Sequence, residues 1–256
     1  MALEARYDNH FSRPEDIDEF IGVLERYEKG ELSSEEFRQF RLTRGVYGQR
    51  QEGVQMIRVK IPQGVLAPRQ LEVLADVAEK FAPRGVGHVT TRQNVQFHFV
   101  KMAQVEAAMR RLHEGGLTTR EACGNTVRNV TGDPWAGVNA NEPFDPTPYA
   151  GAYARYWLRN PLSQLLPRKW KVCFSSSDED IAITGLHDMG FIPRVRDGQK
   201  GFEVRVAGGL SIMPRNAQVL REFSPLDDYL RISEAVIRVF EKADELRKNQ
   251  IGRAHV

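Results

Sequence analysis

His88-Val89-Thr90-Thr91-Arg92-Gln93-Asn94-Val95-Gln96-Phe97-His98-Phe99-Val100 is the stretch whose reading decides the fold. Two β-type runs, residues 88–91 and 95–100, flank the polar knot Arg92-Gln93-Asn94. An arginine held between strands is costly unless it faces solvent or an anion. The knot is therefore either a plain hairpin turn or an anion site. Upstream, residues 53–61 alternate, with Val54, Met56, Val59 and Ile61 apolar and Arg58 and Lys60 between them, as in a strand. Pro62-Gln63-Gly64 turns the chain, and residues 67–81 form a helix with Leu71, Leu74, Val77 and Phe81 on one face. Downstream, residues 102–114 form a helix with Val105, Met109 and Leu112 inside, closed by Gly115-Gly116. The order β-α-β-β-α is most of a ferredoxin-like split βαβ unit. Enzymes and RNA-binding modules share such units, so the fold does not choose a function.

Ahead of this unit, Ser12-Arg13-Pro14-Glu15 has the form of a capping box, followed by Ile17, Phe20, Ile21 and Leu24 at helical spacing. Ser33-Ser34-Glu35-Glu36 starts a second helix with Phe37, Phe40 and Leu42. Neither stripe builds a core alone, so residues 1–50 are expected to be a helical arm packed on something else. The 256 residues allow one or two domains with a sizeable core. A net charge of +2 lacks the basic excess of a DNA binder. No apolar run approaches the roughly 18 residues of a membrane span. The opening MALEARYDNH has no signal-peptide core, so a cytoplasmic protein is expected. Cys123 and Cys173 have no metal-like spacing, and a disulfide is not expected in that compartment.

From Thr118 the periodicity stops. Residues 120–134 read as a long polar loop, and such loops are often functional. Residues 149–158 read as a helix, and 171–174 as a strand ending in Ser175-Ser176-Ser177. Residues 189–195 and 201–206 form a strand pair around Asp197-Gly198. Residues 226–246 form a long amphipathic helix whose inner side is Tyr229, Leu230, Ile232, Val236, Val239, Phe240, Ala243 and Leu246. The expected class is α+β, with a ferredoxin-like subdomain over 51–118 and a mixed α/β domain over 119–250.

Basic residues recur at strand ends: Arg92 in TTRQN, Arg128 in TVRNV, Lys169 and Lys171 in PRKWK. Lys169 and Lys171 share one side of an extended chain, with Trp170 on the other. Two ammonium groups on one side are tolerable when solvated and useful when an anion lies between them. Each alone reads as a surface charge; four together, in segments rich in Gln, Asn and Thr, balance that reading with an anion site. Ser175–Ser177 has no nucleophile partner at a recognisable spacing, and Asp178-Glu179-Asp180 lacks the spacing of a calcium loop. Both read as turns. His98 and His187 read as structural, and Trp135, Trp157 and Trp170 as packing residues.

Taken in order, several segments resemble the N-terminal half of the sirohaem-dependent sulfite and nitrite reductases. They are Arg58-Val59-Lys60-Ile61-Pro62, Thr90-Thr91-Arg92-Gln93-Asn94-Val95-Gln96, Arg128-Asn129-Val130 and Leu166-Pro167-Arg168-Lys169-Trp170-Lys171. Leu186-His187-Asp188-Met189-Gly190-Phe191, Gly208-Gly209-Leu210-Ser211 and Arg247-Lys248-Asn249 continue the match. The resemblance implies six-electron reduction of sulfite or nitrite on a sirohaem whose iron shares a cysteine sulfur with a [4Fe–4S] cluster. It implies an anion-binding quartet of Arg92, Arg128, Lys169 and Lys171, the lysines also supplying protons. It implies contacts from Arg58, Gln93, Asn94 and Asn129 to the cofactor carboxylates. The electron donor would be a ferredoxin or a flavoprotein.

Family enzymes are longer, and their cluster cysteines follow Cys-x5-Cys and Cys-x3-Cys spacings that this chain lacks. A truncated product or a split subunit is expected, needing a C-terminal half or complementary subunit and inactive alone. Two other readings compete. One is a nucleic-acid-binding α+β module, opposed by the near-neutral charge and the lack of an aromatic RNA-binding strand. The other is a non-catalytic remnant with exposed apolar surface.

Overall fold

Residues 10–210, 214–243 and 246 are described by the computed structural model, in two units, Met1–Gly124 and Asn125–Val256. The first unit contains α1 (Pro14–Glu28), α2 (Ser34–Thr43), β1 (Val46–Gly48), β2 (Val54–Val59), α3 (Pro68–Phe81), β3 (His88–Val89), β4 (Val95–Lys101) and α4 (Val105–Glu114). Its sheet runs β1-β2-β4-β3 with every neighbouring pair antiparallel. β2 and β3 are therefore parallel to each other, joined through α3 and split by β4. The edge place beside β2, which a complete ferredoxin-like unit fills with a strand after its second helix, is taken by β1 from ahead of the unit.

One apolar cluster holds these elements together. Ile57 and Val59 of β2, Val73 and Val77 of α3, Phe97 and Val100 of β4 and Leu112 of α4 meet Ile17, Phe20 and Phe37 of the two N-terminal helices. The stripes of α1 and α2 are too short for a core of their own because they complete this one. The capping boxes differ. Ser33 accepts from the Glu36 N–H at 3.2 Å, and the Glu36 carboxylate accepts from the Ser33 N–H at 2.8 Å. Ser12 caps nothing: α1 starts from Arg13, and the Ser12 hydroxyl lies 2.9 Å from His113 Nδ1. Ser33→Ala should therefore lower stability by about 1 kcal/mol, read from the denaturant midpoint.

One apolar assignment in this unit changes, and one strand alternation breaks. Leu71 is 55% exposed and Val73 is buried, because a 3.6-residue turn carries the inner face through Gln70, Val73, Leu74 and Val77. Phe99 leaves the alternation set by Phe97. A register shift between Gln55 and Ile57 puts Phe99 at φ 62° and turns Val100 into the core instead.

The second unit contains β5 (Val127–Gly132), α5 (Thr147–Trp157), β6 (Trp170–Phe174), β7 (Met189–Arg196), β8 (Gln199–Val206), β9 (Gln218–Pro225) and α6 (Tyr229–Glu241). The sheet order is β5-β6-β7-β8-β9, parallel over the first three strands and antiparallel over the rest. Asp197 and Gly198, at φ 52° and 76°, make the left-handed pair of a two-residue hairpin.

β5 lies inside the stretch expected to be a loop. Five of its six residues are buried, on both faces, so it shows no alternation, and polar Asn129 and Thr131 are among them. β9 gave no strand signal because it is an edge strand whose first five residues are exposed. The inner stripe of α6 runs Tyr229, Ser233, Ile237; Val239 is 74% exposed. Trp157 and Trp170 are buried as packing residues, whereas Trp135 is exposed. Among the described residues no helix is long and apolar enough to cross a membrane. Ser211 and Arg247-Lys248-Asn249 lie outside the described residues.

Candidate anion-binding site

In the first unit the knot at Arg92 is a hairpin turn with a fixed shape. The Thr90 N–H donates to the Asn94 carbonyl at 2.8 Å, and the Gln93 N–H to the Thr90 carbonyl at 3.0 Å. The Thr90 hydroxyl accepts from the N–H of Arg92 at 3.3 Å and of Asn94 at 3.1 Å. Gln93 sits at φ 56°, and its side chain covers Gly64, where a Cβ would come within 3.1 Å of it. Asn94 is buried, and its Oδ1 accepts from the Ile61 N–H at 3.4 Å, tying the turn to the residues that follow β2. This amide oxygen has a structural task, which leaves the Asn94 nitrogen as its donating end. The result is a rigid mount for a half-buried Arg92.

The sheet face away from the apolar cluster carries a polar row that the sequence reading did not single out. Arg58 of β2 stands directly opposite Gln96 of β4. With the Gln96 amide turned to satisfy its neighbours, its oxygen accepts from Arg58 Nε at 2.8 Å and Nη2 at 2.6 Å, and its nitrogen meets His98 Nε2 at 3.3 Å. Arg58 Nη1 also donates to the Ala122 carbonyl at 3.3 Å. The 118–122 segment is itself pinned to the end of β2. The Lys60 N–H donates to the Thr118 carbonyl at 2.8 Å, and buried Lys60 faces buried Glu121 at 3.9 Å. The signal for this row was present in the alternation Gln96, Phe97, His98, which puts the two polar residues together on one face.

In the second unit the register between β5 and β6 brings cations together. Val127 pairs with Trp170 and Val130 with Val172, so the two residues Arg128 and Asn129 stand across from Lys171 alone. Such a bulge re-aims side chains and is over-represented beside active sites. Lys169 precedes β6 by one residue and shares a side with Lys171, while Trp170 between them is buried. Lys171 is half-buried and Lys169 exposed. The Lys171 backbone is fixed by its N–H donating to Asp188 Oδ2 at 2.8 Å, an anchor absent from the sequence reading. Arg128, Lys169 and Lys171 thus belong to one strand pair, and Arg92, Gln93, Asn94 and Arg58 to the first unit.

The other candidates resolve into structure. Ser176 donates through its hydroxyl to Asp133 Oδ2 at 2.7 Å, and Asn139 Nδ2 donates to Ser176 and Ser177 at 3.0 and 3.1 Å. This clamp joins the chain after β5 to the chain after β6, and among the described residues no histidine belongs to it. Asp178 pairs with Arg194 at 2.7 Å and Asp180 with Arg205 at 3.3 Å. His187 lies with Nδ1 2.9 Å from the Ile183 carbonyl. Cys123 and Cys173 are buried, and neither is in a disulfide. Among the described residues no group of three or more His, Cys, Asp or Glu is placed to hold a metal ion.

Residues 123–254 match the family described as nitrite and sulphite reductase 4Fe-4S domain, and residues 47–115 the nitrite/sulfite reductase ferredoxin-like half domain. Ferredoxin–nitrite reductase of Zea mays is 34% identical over 200 residues, covering 74% of this chain and 34% of that protein. Sulfite reductase [ferredoxin] of Mycobacterium tuberculosis is 35% identical over 186 residues, covering 72% of this chain and 33% of that one. Among solved structures, the NirA protein of Mycobacterium tuberculosis superposes with a TM-score of 0.75 at 31% identity, over 82% of this chain and 41% of that one. The chain therefore spans about a third of the length of the curated relatives it matches.

Proposed function

Because this chain belongs to the nitrite and sulfite reductase family, we propose that it supplies the sirohaem- and oxyanion-binding half of such an enzyme, with the cluster held by a complementary half. The observation that carries this reading is the bulge that sets Arg128 and Asn129 against Lys171, with Lys169 on the same side of the neighbouring strand. Fixed cations at such a place offset the charge of an oxyanion and of macrocycle carboxylates. Sirohaem fits the donor set present: Arg92, Arg58 and the amides of Gln93, Asn94 and Asn129 are groups that hold carboxylates. When bound, sirohaem supplies the iron at which the oxyanion is reduced.

The roles of the chain's own residues follow from their chemistry. Arg92 and Arg128, permanently charged, orient the anion. Lys169 and Lys171 hold protons at Nζ, available as an N–O or S–O bond breaks. A [4Fe–4S] cluster does not fit this chain, since it takes four thiolate ligands and the sequence contains two cysteines. The reading therefore includes a C-terminal half or complementary subunit bearing the cluster cysteines and, by analogy with the ferredoxin-dependent relatives, a ferredoxin as electron donor.

Titrating the purified chain with sirohaem and following its Soret band tests this. Saturable binding at micromolar cofactor, without reduction of sulfite or nitrite from a reduced donor, is the expected result. Turnover by the chain alone, or no binding at that concentration, overturns the reading.

A further inference from the structure

Gln96 is the centre of the polar row on the first sheet. On β4 it stands opposite Arg58 of β2 on one side and His88 of β3 on the other. His98, two residues along the same strand, shares its face. A primary amide has one accepting and one donating end, whereas a guanidinium only donates. With its oxygen on Arg58, at 2.8 and 2.6 Å, the amide must present its nitrogen to His98 Nε2, at 3.3 Å. His98 Nε2 then accepts, which places the proton of the neutral ring on Nδ1.

We propose that Gln96 is a positioning residue for Arg58, and that neutral His98, protonated on Nδ1, holds the Gln96 amide in the orientation that fixes the guanidinium. A proton added at His98 Nε2 puts two donors face to face. The amide turns, its NH2 group meets the Arg58 donors, and both hydrogen bonds to the guanidinium are lost. The surroundings keep the ring neutral. The groups facing it are the His88 ring at 5.8 Å, the Phe99 ring at 6.2 Å and Arg58. Burial first, then the positive charge of His88 and of Arg58, hold the His98 pKa below its ordinary 6.5.

The relay stands on geometry alone; its consequence for ligand binding rests on the proposed anion-binding role. Long-range proton–nitrogen NMR of the histidine rings in the intact chain, followed against pH together with the Arg58 Nε–H signal, tests it. His98 should show the Nδ1–H tautomer at neutral pH, and protection of Arg58 Nε–H should vanish in the same titration that charges His98. Gln96→Glu puts a carboxylate between Arg58 and His98, accepts from both, and should raise the His98 midpoint by roughly one pH unit or more. Gln96→Leu should remove the Arg58 protection at every pH. An Nε2–H tautomer in the parent chain, or a Gln96→Glu midpoint that does not move, overturns the relay. With sirohaem as probe, affinity should fall roughly tenfold as His98 takes its proton, about the loss of one charge-assisted hydrogen bond. Sirohaem binding that ignores that midpoint overturns the functional link. Absence of sirohaem binding at every pH overturns the proposed function and leaves the relay to the NMR result.

Discussion

Phe191→Ala should lower the stability of the second unit by about 3–5 kcal/mol, the cost of emptying a buried phenylalanine site. Phe191 on β7 is fully buried, and its ring stacks on Phe174 of the neighbouring strand at 4.5 Å. Tyr153 of α5, Phe202 of β8 and Tyr229 of α6 close around it at 5.7, 5.7 and 5.9 Å. The ring thus joins both helices to three strands, and alanine leaves a cavity that none of these rigid neighbours can fill. Val239→Ala is the matched comparison. Its side chain is 74% exposed, so its loss should stay within about 0.5 kcal/mol. Urea unfolding of both variants separates two placements of α6. The helical pattern read from sequence put Val239 inside, whereas the structure gives that side to Tyr229, Ser233 and Ile237. Equal losses for the two variants would contradict the packing described.

The contrast explains how much of the fold was legible. Where a helix buries one face and solvates the other, period alone placed it, as in α4 with Val105, Met109 and Leu112; the β7–β8 hairpin, buried on both faces along residues 189–193, was marked by its Asp197-Gly198 turn. Where burial is two-sided, as in β5, or nearly absent, as in β9, there is no period to read. Helix faces failed at their margins for a related reason. Leu71 is one step off the inner face of α3, and which of two adjacent leucine or valine positions turns inward depends on the partner surface. Ser12 shows the same limit for polar residues: its spacing to Glu15 suits a cap, but the hydroxyl meets His113, distant in sequence.

For the candidate site, what was legible is what alternation controls. Lys169 and Lys171 share a side because Trp170 turns inward, and Arg58 lies on the polar face of β2. The pairing of Arg128 with Lys171 was not readable, since it depends on a bulge in a strand that looked like a loop. Gln96 entered only as the end of a matched segment and His98 was read as structural, so neither was tied to Arg58. Their interest lies in how they orient Arg58, a property of cross-strand register.

Lys171→Gln should weaken sirohaem or nitrite binding by roughly 10- to 100-fold, the loss of one charge-assisted hydrogen bond to an anion. The substitution shortens the side chain by one bond, keeps an N–H donor and removes the charge. The backbone N–H that anchors this position to Asp188 is untouched, so the thermal midpoint should stay in place. Arg128→Gln should act similarly. Because Arg128 stands across from Lys171, the double variant should lose less than the product of the two single losses if both cations hold one anion. Arg231→Gln, on an exposed side chain of α6, is the control for a general charge effect and should leave affinity unchanged. If Arg231→Gln weakened binding as much as Lys171→Gln, the attraction would be that of overall charge and the strand pair would have no special part in it. If the product rule held for the double variant, Arg128 and Lys171 would serve separate groups, such as a macrocycle carboxylate and the substrate oxyanion. Salt adds a further check: attraction by overall charge falls steeply with ionic strength for every variant, whereas a half-buried lysine beside a fixed bulge should keep most of its advantage over glutamine.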